Sequence, residues 1–298
     1  MKAFNRQRRR VIANGEESQF EPVIKAREQA KEVLQEARPG IIGWARLGHL
    51  AKGAIYLVIG ILTFQAAFGL SSPAVDQDDA LQTIQFQPFG QILLGLVVLG
   101  LLGYAFWRVL LAVFDLEHAG SSLRGLAKRL GYILGGVGYT GIAMVAFQLL
   151  VGQNSTGTGD SAEHWTRLIL ALPFGDWLIG AGGAGFLIVS ANLIYSALAG
   201  RFKKQLAHSD MNRIEKAWTF QSGRLGMMAR ATLLALVGVF LIRAAVTFNA
   251  SEAGGLKDVL LMLARQPFGA WLLSALACGL ISYGVYSIAL ARFGRYDL

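Results

Sequence analysis

Five ionisable side chains interrupt, or sit at the edge of, stretches that are otherwise apolar: Lys52, Arg108, Arg230, Arg243 and Asp176. In a membrane such residues mark ligand sites, ion paths or counter-charges, because a charge facing hydrocarbon is costly. Each lies within about two helical turns of the end of its stretch, and a long basic side chain can reach the headgroups from there. Enzyme chemistry finds little support. His49, His118, His164 and His208 are scattered and lack metal-ligand spacing. Cys278 is the sole cysteine, so neither a disulfide framework nor a thiolate cluster is available. There is no phosphate loop, dinucleotide fingerprint or nucleophile elbow, and the acidic cluster Asp76, Asp78 and Asp79 reads as a solvated loop. No catalytic, metal or cofactor site is expected.

The positions that must hold these residues are set by a signature that occurs three times. Arg46-Leu47-Gly48 is followed by Pro88-Phe89-Gly90, Arg129-Leu130-Gly131 by Pro173-Phe174-Gly175, and Arg224-Leu225-Gly226 by Pro267-Phe268-Gly269. The arginine-to-proline spacings are 42, 44 and 43 residues, the regularity of an internal repeat. Counting nineteen residues from each repeat arginine gives Gln65, Gln148 and Arg243. If the first helices of the three units face a common pseudo-threefold axis, these make a polar ring near the outer side, suited to a small anion or a lipid headgroup. Counting six gives Lys52, Gly135 and Arg230 on the opposite side. At about 100° per residue, Lys52 and Gln65 stand roughly 140° apart on their helix, so at most one layer is axial. The outer layer is predicted to be that one.

Composition gives the fold class. Of 298 residues 54% are hydrophobic and 16% charged, whereas soluble domains carry about 25% charged residues. The apolar residues gather in six runs, near 50–70, 90–114, 131–152, 174–199, 227–248 and 268–291, each of the length a helix needs to cross hydrocarbon. Continuous apolar runs exclude a barrel of alternating strands, and backbone in lipid must satisfy its own hydrogen bonds, so the runs are helices. An all-α, six-span membrane protein of three tandem helical hairpins follows, with units at 41–118, 119–204 and 205–298 behind a basic extension, 1–40. In each unit a short apolar stretch precedes Pro-Phe-Gly. In the third it reads as an outer interfacial helix over Leu256–Gln266. Proline is expected in the first turn of the returning helix, with the neighbouring glycine permitting the bend.

Net charge is +9, and its distribution points to a membrane rather than to nucleic acid: the alternate segments on one side hold 21 Lys and Arg, the other side three. The positive-inside rule then makes both termini cytoplasmic. Within 1–40, the spacing of Val23, Ile24, Ala30, Val33, Leu34 and Ala37 predicts an amphipathic helix over 21–38, lying on anionic lipid or docking a cytoplasmic partner. Residues 201–226 are a second candidate contact for lipid or protein. Gly100 with Gly103, Gly131 with Gly135 and Ala181 with Gly185 are read as helix-packing pairs. The glycines of 180–185 also suit the flank of a narrow passage or of a bound lipid.

The succession of Arg-Leu-Gly, an apolar span, Pro-Phe-Gly-X-Trp-Leu-Leu over Pro267–Leu273 and Gly-Leu-X-X-Tyr-Gly-X-Tyr over Gly279–Tyr286 resembles the bacterial integral-membrane family known as domain of unknown function 1206, which is built of three two-helix repeats. The likeness covers about 43–295. It implies a bacterial inner-membrane protein and brings no catalytic residues. The second repeat departs most from it, with Val189 and Asn192 in the places of Tyr104 and Trp107, or of Tyr283 and Tyr286. A non-enzymatic scaffold or accessory subunit is the expected role, with a small-solute or ion path along the axis as the alternative. The apolar midplane stretches Leu57–Leu62, Leu94–Leu102 and Leu233–Leu241 favour the scaffold.

Overall fold

The computed structural model describes residues 40, 42–70, 75–115, 120, 122–153, 161–200 and 211–294. The helix expected over 21–38 and residues 201–210 of the second candidate contact lie outside them. By its contacts the chain divides into Trp44–Tyr296 and a unit of Met1–Gly43 with Asp297 and Leu298; the description concerns the first. Its described residues contain no strand. The long helices are α1 (Ile42–Ala67), α3 (Gly90–Val113), α4 (Leu123–Leu150), α6 (Gly175–Ala199), α7 (Arg213–Thr247) and α9 (Gly269–Phe293), and all six are long and apolar enough to cross a membrane, as in a multi-pass membrane protein. Three short helices, α2 (Gln77–Gln85), α5 (Ser161–Leu170) and α8 (Leu256–Ala264), each precede a Pro-Phe-Gly.

The first helix of each unit begins well before its apolar run. Hydropathy locates only the part that prefers lipid, while backbone hydrogen bonding continues until a cap stops it. For α4 that cap is Ser122, whose hydroxyl accepts from the Gly125 N–H at 3.2 Å. For α7 it is a capping box in which the Glu215 carboxylate accepts from the Asn212 N–H at 2.9 Å. At about 1.5 Å per residue, the 35 residues of α7 outreach a hydrocarbon core of about 30 Å.

The acidic cluster is not a solvated loop. Asp76 is the N-cap of α2 and accepts from Asp78 N–H at 2.9 Å and Asp79 N–H at 3.1 Å, while Asp79 accepts from Asp76 N–H at 2.9 Å. Asp76 and Asp78 are buried. Burial first, and the adjacent Asp76 charge, raise the Asp79 carboxyl above its ordinary value. The signature of a helix start was present in Asp-X-X-Asp followed by apolar Ala80, Leu81 and Ile84, all of which are buried. The outer helix expected over Leu256–Gln266 is found as Leu256–Ala264, with Val259 and Leu260 turned into the core.

The Pro-Phe-Gly turn works differently from the expected way. The left-handed residue is the phenylalanine: Phe89, Phe174 and Phe268 have φ of 62°, 64° and 63° and are the N-caps of α3, α6 and α9. Proline therefore stands one residue before the cap, not in the first turn. The glycine N–H bonds back to the carbonyl of the residue before proline, at 2.8 Å for Gly90 to Gln87, 3.0 Å for Gly175 to Leu172 and 2.9 Å for Gly269 to Gln266. A positive φ at the third position is the requirement of a type II turn and proline is common at its second, while phenylalanine is an uncommon occupant of the third. The glycine is needed for space. A Cβ on Gly90, Gly175 or Gly269 would strike the carbonyl oxygen of Gln85, Ile169 or Ala264 at the end of the preceding short helix. All three phenylalanines are strongly exposed, beside exposed Trp177 and Trp271, which suits rings at a membrane interface. Gly269→Ala is expected to cost about 1–2 kcal/mol through this overlap, read as a lower melting temperature in detergent.

The long helices pack in one series, α4–α3–α1–α9–α7–α6. Glycine sets the closest approaches. A Cβ on Gly100 would meet the Ala51 Cβ and the Leu47 carbonyl of α1, both at 2.8 Å, and one on Gly103 would meet the Trp44 ring at 2.6 Å. One on Gly53 would meet Ile288 of α9 at 2.7 Å, and one on Gly183 the Gly238 carbonyl of α7 at 2.7 Å. The expected packing role holds for Gly100 and Gly103. It fails for Gly131 and Gly185, where a Cβ would find nothing within 4 Å. Three equivalent hairpins would add an interface between α4 and α6, yet these two make none comparable to the others.

Candidate functional site

The polar side chains that the structure gathers are those of the inner count. Lys52, on α1, is only 5% exposed. Its Nζ lies 4.9 Å from the ring centre of Tyr283, 5.4 Å from that of Tyr104 and 5.9 Å from that of Tyr139. Arg230, its counterpart on α7, donates from Nη1 to the Tyr283 hydroxyl at 2.5 Å, and its guanidinium lies 5.2 Å from the centre of the same ring. Tyr56 meets Tyr283 edge-on at 4.7 Å, and Tyr104 meets Tyr139 likewise at 4.7 Å. Tyrosine suits this place because its face attracts a cation while its hydroxyl bonds one.

Gly135 is the third member of that layer and has no side chain to offer. The Arg108 guanidinium of α3 lies where a Cβ on residue 135 would sit. From there it lies 5.8 Å from the Tyr104 ring centre and 5.4 Å from that of Tyr132. The glycine thus lets a third cation into the layer from the neighbouring helix. Lys52, Arg108 and Arg230 have no carboxylate partner among the described residues, whose ion pairs are Arg167–Glu163 at 2.5 Å and Arg243–Glu252 at 3.1 Å. The buried Nε atoms of Arg108 and Arg230 have no hydrogen-bond partner. Six residues at about 1.5 Å each put the layer roughly 9 Å inside the repeat arginines.

The repeat signature holds this site in place. A Cβ on Gly48 would meet Tyr104 Cβ, and one on Gly226 would lie 2.5 Å from Tyr283 Cα, so these glycines bring the tyrosine-bearing helices against α1 and α7. The helix α6 lacks the tyrosine, and Gly131 correspondingly has nothing against it. Arg129 of the second repeat instead donates from Nε and Nη2 to the Ala112 and Val113 carbonyls at 2.5 Å and 3.2 Å, tying α4 to the end of α3.

The outer count is not assembled in this way. Gln65 is exposed, Gln148 is half-buried, and the Arg243 side chain is 60% exposed and paired with Glu252. No hydrogen bond or ion pair among the described residues joins any two of these three. The angular offset between the layers is the reason: with Lys52 turned inward, Gln65 on the same straight helix is turned away. Arg243→Ala is accordingly expected to change stability by less than about 0.5 kcal/mol, the usual worth of an exposed pair, as measured by thermal melting.

Sequence reasoning placed the inner cations in one layer but missed their tyrosines, and the same counting finds them. Tyr56 and Tyr139 each lie ten residues beyond their repeat arginine. Tyr104 and Tyr283 each lie fourteen beyond the glycine of Pro-Phe-Gly.

Comparison with known proteins agrees with this threefold construction. The model of the family described as Domain of Unknown Function (DUF1206) matches residues 47–115, 130–200 and 225–294. An "Uncharacterized protein YxxB" of Bacillus subtilis (strain 168) is 39% identical over 265 residues, covering 89% of this chain and 95% of the relative. No solved structure matches the chain. With three matches that together span most of its length, the chain belongs to the DUF1206 family.

Proposed function

We propose that this is a non-enzymatic protein of the bacterial plasma membrane, a scaffold or accessory subunit with both termini in the cytoplasm. The bias of basic residues toward the Arg-Leu-Gly side supports the orientation, and the bacterial relative supports the setting. Anionic lipid meets that basic face, and a protein partner is taken through 1–40 and 201–226. One observation carries the scaffold reading. Directly beyond the cation layer, toward the Pro-Phe-Gly end, every contributing helix supplies an apolar side chain to one core: Ile59, Leu101, Leu280 and Leu233 are buried, with Ile142 packed against them. This seal interrupts a polar path.

Passage of a small anion along the axis is the second reading, favoured by the cation layer itself. Reconstitution separates the two. As a scaffold, the protein in liposomes passes chloride and phosphate no faster than empty vesicles, and a partner purified with it in mild detergent is lost on charge reversal at Arg8, Arg9 and Arg10. Flux that disappears in Lys52→Met would instead establish transport.

A further inference from the structure

We propose that the layer of Lys52, Arg108 and Arg230 binds the phosphate of an anionic phospholipid, which enters from the bilayer between α4 and α6. Buried Lys52 and half-buried Arg108 and Arg230 share one level, and none has a carboxylate partner among the described residues. Buried charge is tolerated when it is paired and its donors are used. Two donors of the layer are left over, the buried Nε of Arg108 and that of Arg230, and the Lys52 ammonium lies against the Tyr283 ring with no anion beside it among the described residues. The Tyr283 oxygen accepts from Arg230, so its own proton remains available to donate. A phosphate diester supplies what this set lacks, a compact anion with several acceptor oxygens, which guanidinium forks bind at two points.

The lipid source follows from where the packing series stops. On α4 and α6 a Cβ on Gly131, Gly138, Gly141, Gly182 or Gly185 would find nothing within 4 Å, whereas one on Gly48, Gly53, Gly226 or Gly284 would strike the neighbouring helix. Gly138 adjoins Tyr139 of the layer. On α6, Val189 takes the place that Tyr104 and Tyr283 fill in the other repeats, and it is 47% exposed. These two helices are the least buried of the six spans, at 28% and 17%, and their open faces carry Leu134, Val137 and Ile188, apolar surface suited to acyl chains. A phosphate can therefore reach the cations with its chains still in the membrane. The site stands whether or not the chain also recruits a protein partner.

The test uses the full-length protein, delipidated in a neutral detergent. Its melting is followed on adding phosphatidylglycerol, phosphatidylcholine or inorganic phosphate. The expected result is a rise of several degrees with phosphatidylglycerol and little with the other two, since a ligand that binds only the folded state raises its stability. Lys52→Gln/Arg230→Gln is expected to weaken the lipid effect about tenfold or more, the loss that one charged hydrogen bond of about 1.5–3 kcal/mol represents. Gly135→Ala, which displaces Arg108 and leaves the other two cations intact, is expected to weaken it too, and serves if the double variant does not fold. Arg265→Gln, exposed at the opposite, Pro-Phe-Gly end, retains the full effect. An equal response to both lipids, or an unchanged response in Gly135→Ala, overturns the site. A full response to inorganic phosphate alone overturns the lipid as its source.

Discussion

Gly226→Ala is expected to destabilise the protein by about 3 kcal/mol through overpacking, whereas Gly131→Ala, at the same position of the signature, is expected to stabilise it by about 0.5–1 kcal/mol. At residue 226 the added Cβ would lie 2.5 Å from Tyr283 Cα and 2.6 Å from its backbone nitrogen. Backbone cannot rotate away as a side chain can, so α7 and α9 must separate, loosening Tyr283 from Arg230 and Lys52. At residue 131 a Cβ meets nothing within 4 Å. There the glycine only raises the entropy lost on forming the helix, and alanine removes that cost. Gly48→Ala should behave like Gly226→Ala, because its Cβ would meet Tyr104 and lie 2.9 Å from the Gly100 carbonyl. Melting temperatures in one detergent decide the matter. Equal losses at all three glycines would mean that α4 packs against α6 as the other hairpins pack.

That contrast shows how the repeat could mislead as well as inform. The number of spans and their pairing into units were legible, because each apolar run is bounded by the same tripeptides. The returning helices were placed within one or two residues, since Pro-Phe-Gly fixes their start: near 90, 174 and 268 against Gly90, Gly175 and Gly269. The outgoing helices were placed 8 to 14 residues late, against Ile42, Leu123 and Arg213, because Ser122 and Glu215 cap them outside the apolar run. Outer helix α2 was hidden by reading three aspartates as charge rather than as a cap.

The site was half legible for a related reason. Counting from the arginines gathered Lys52, Gly135 and Arg230, but nothing in one sequence says which face of a helix turns inward. An exact threefold axis treats the helices alike, whereas the packing series makes them unequal. α1 is held between α3 and α9, and α4 ends the series. Arg108, legible as a charge within an apolar run, joins the layer only through the structure, because it comes from a returning helix and reaches across to Gly135.

The buried layer yields the second large effect. Tyr283→Phe removes one oxygen and nothing else, yet it is expected to cost about 2–3 kcal/mol, because it takes from a half-buried guanidinium the side-chain acceptor it has among the described residues. Phenylalanine keeps the ring face that lies 4.9 Å from Lys52 Nζ and 5.2 Å from the Arg230 guanidinium, so the loss isolates the hydroxyl. Arg230→Met deletes a charge and several donors but leaves an apolar chain of similar reach, and is expected to cost less than Tyr283→Phe. The double variant should then cost less than the sum of the two, since without the guanidinium the hydroxyl keeps only its bond to Lys52. A coupling of about 1.5–3 kcal/mol in this double-mutant cycle, measured by denaturation in detergent, is the expected outcome. Additive costs would show that the contact between Arg230 and Tyr283 contributes no net stability, and that ring packing alone accounts for the tyrosine.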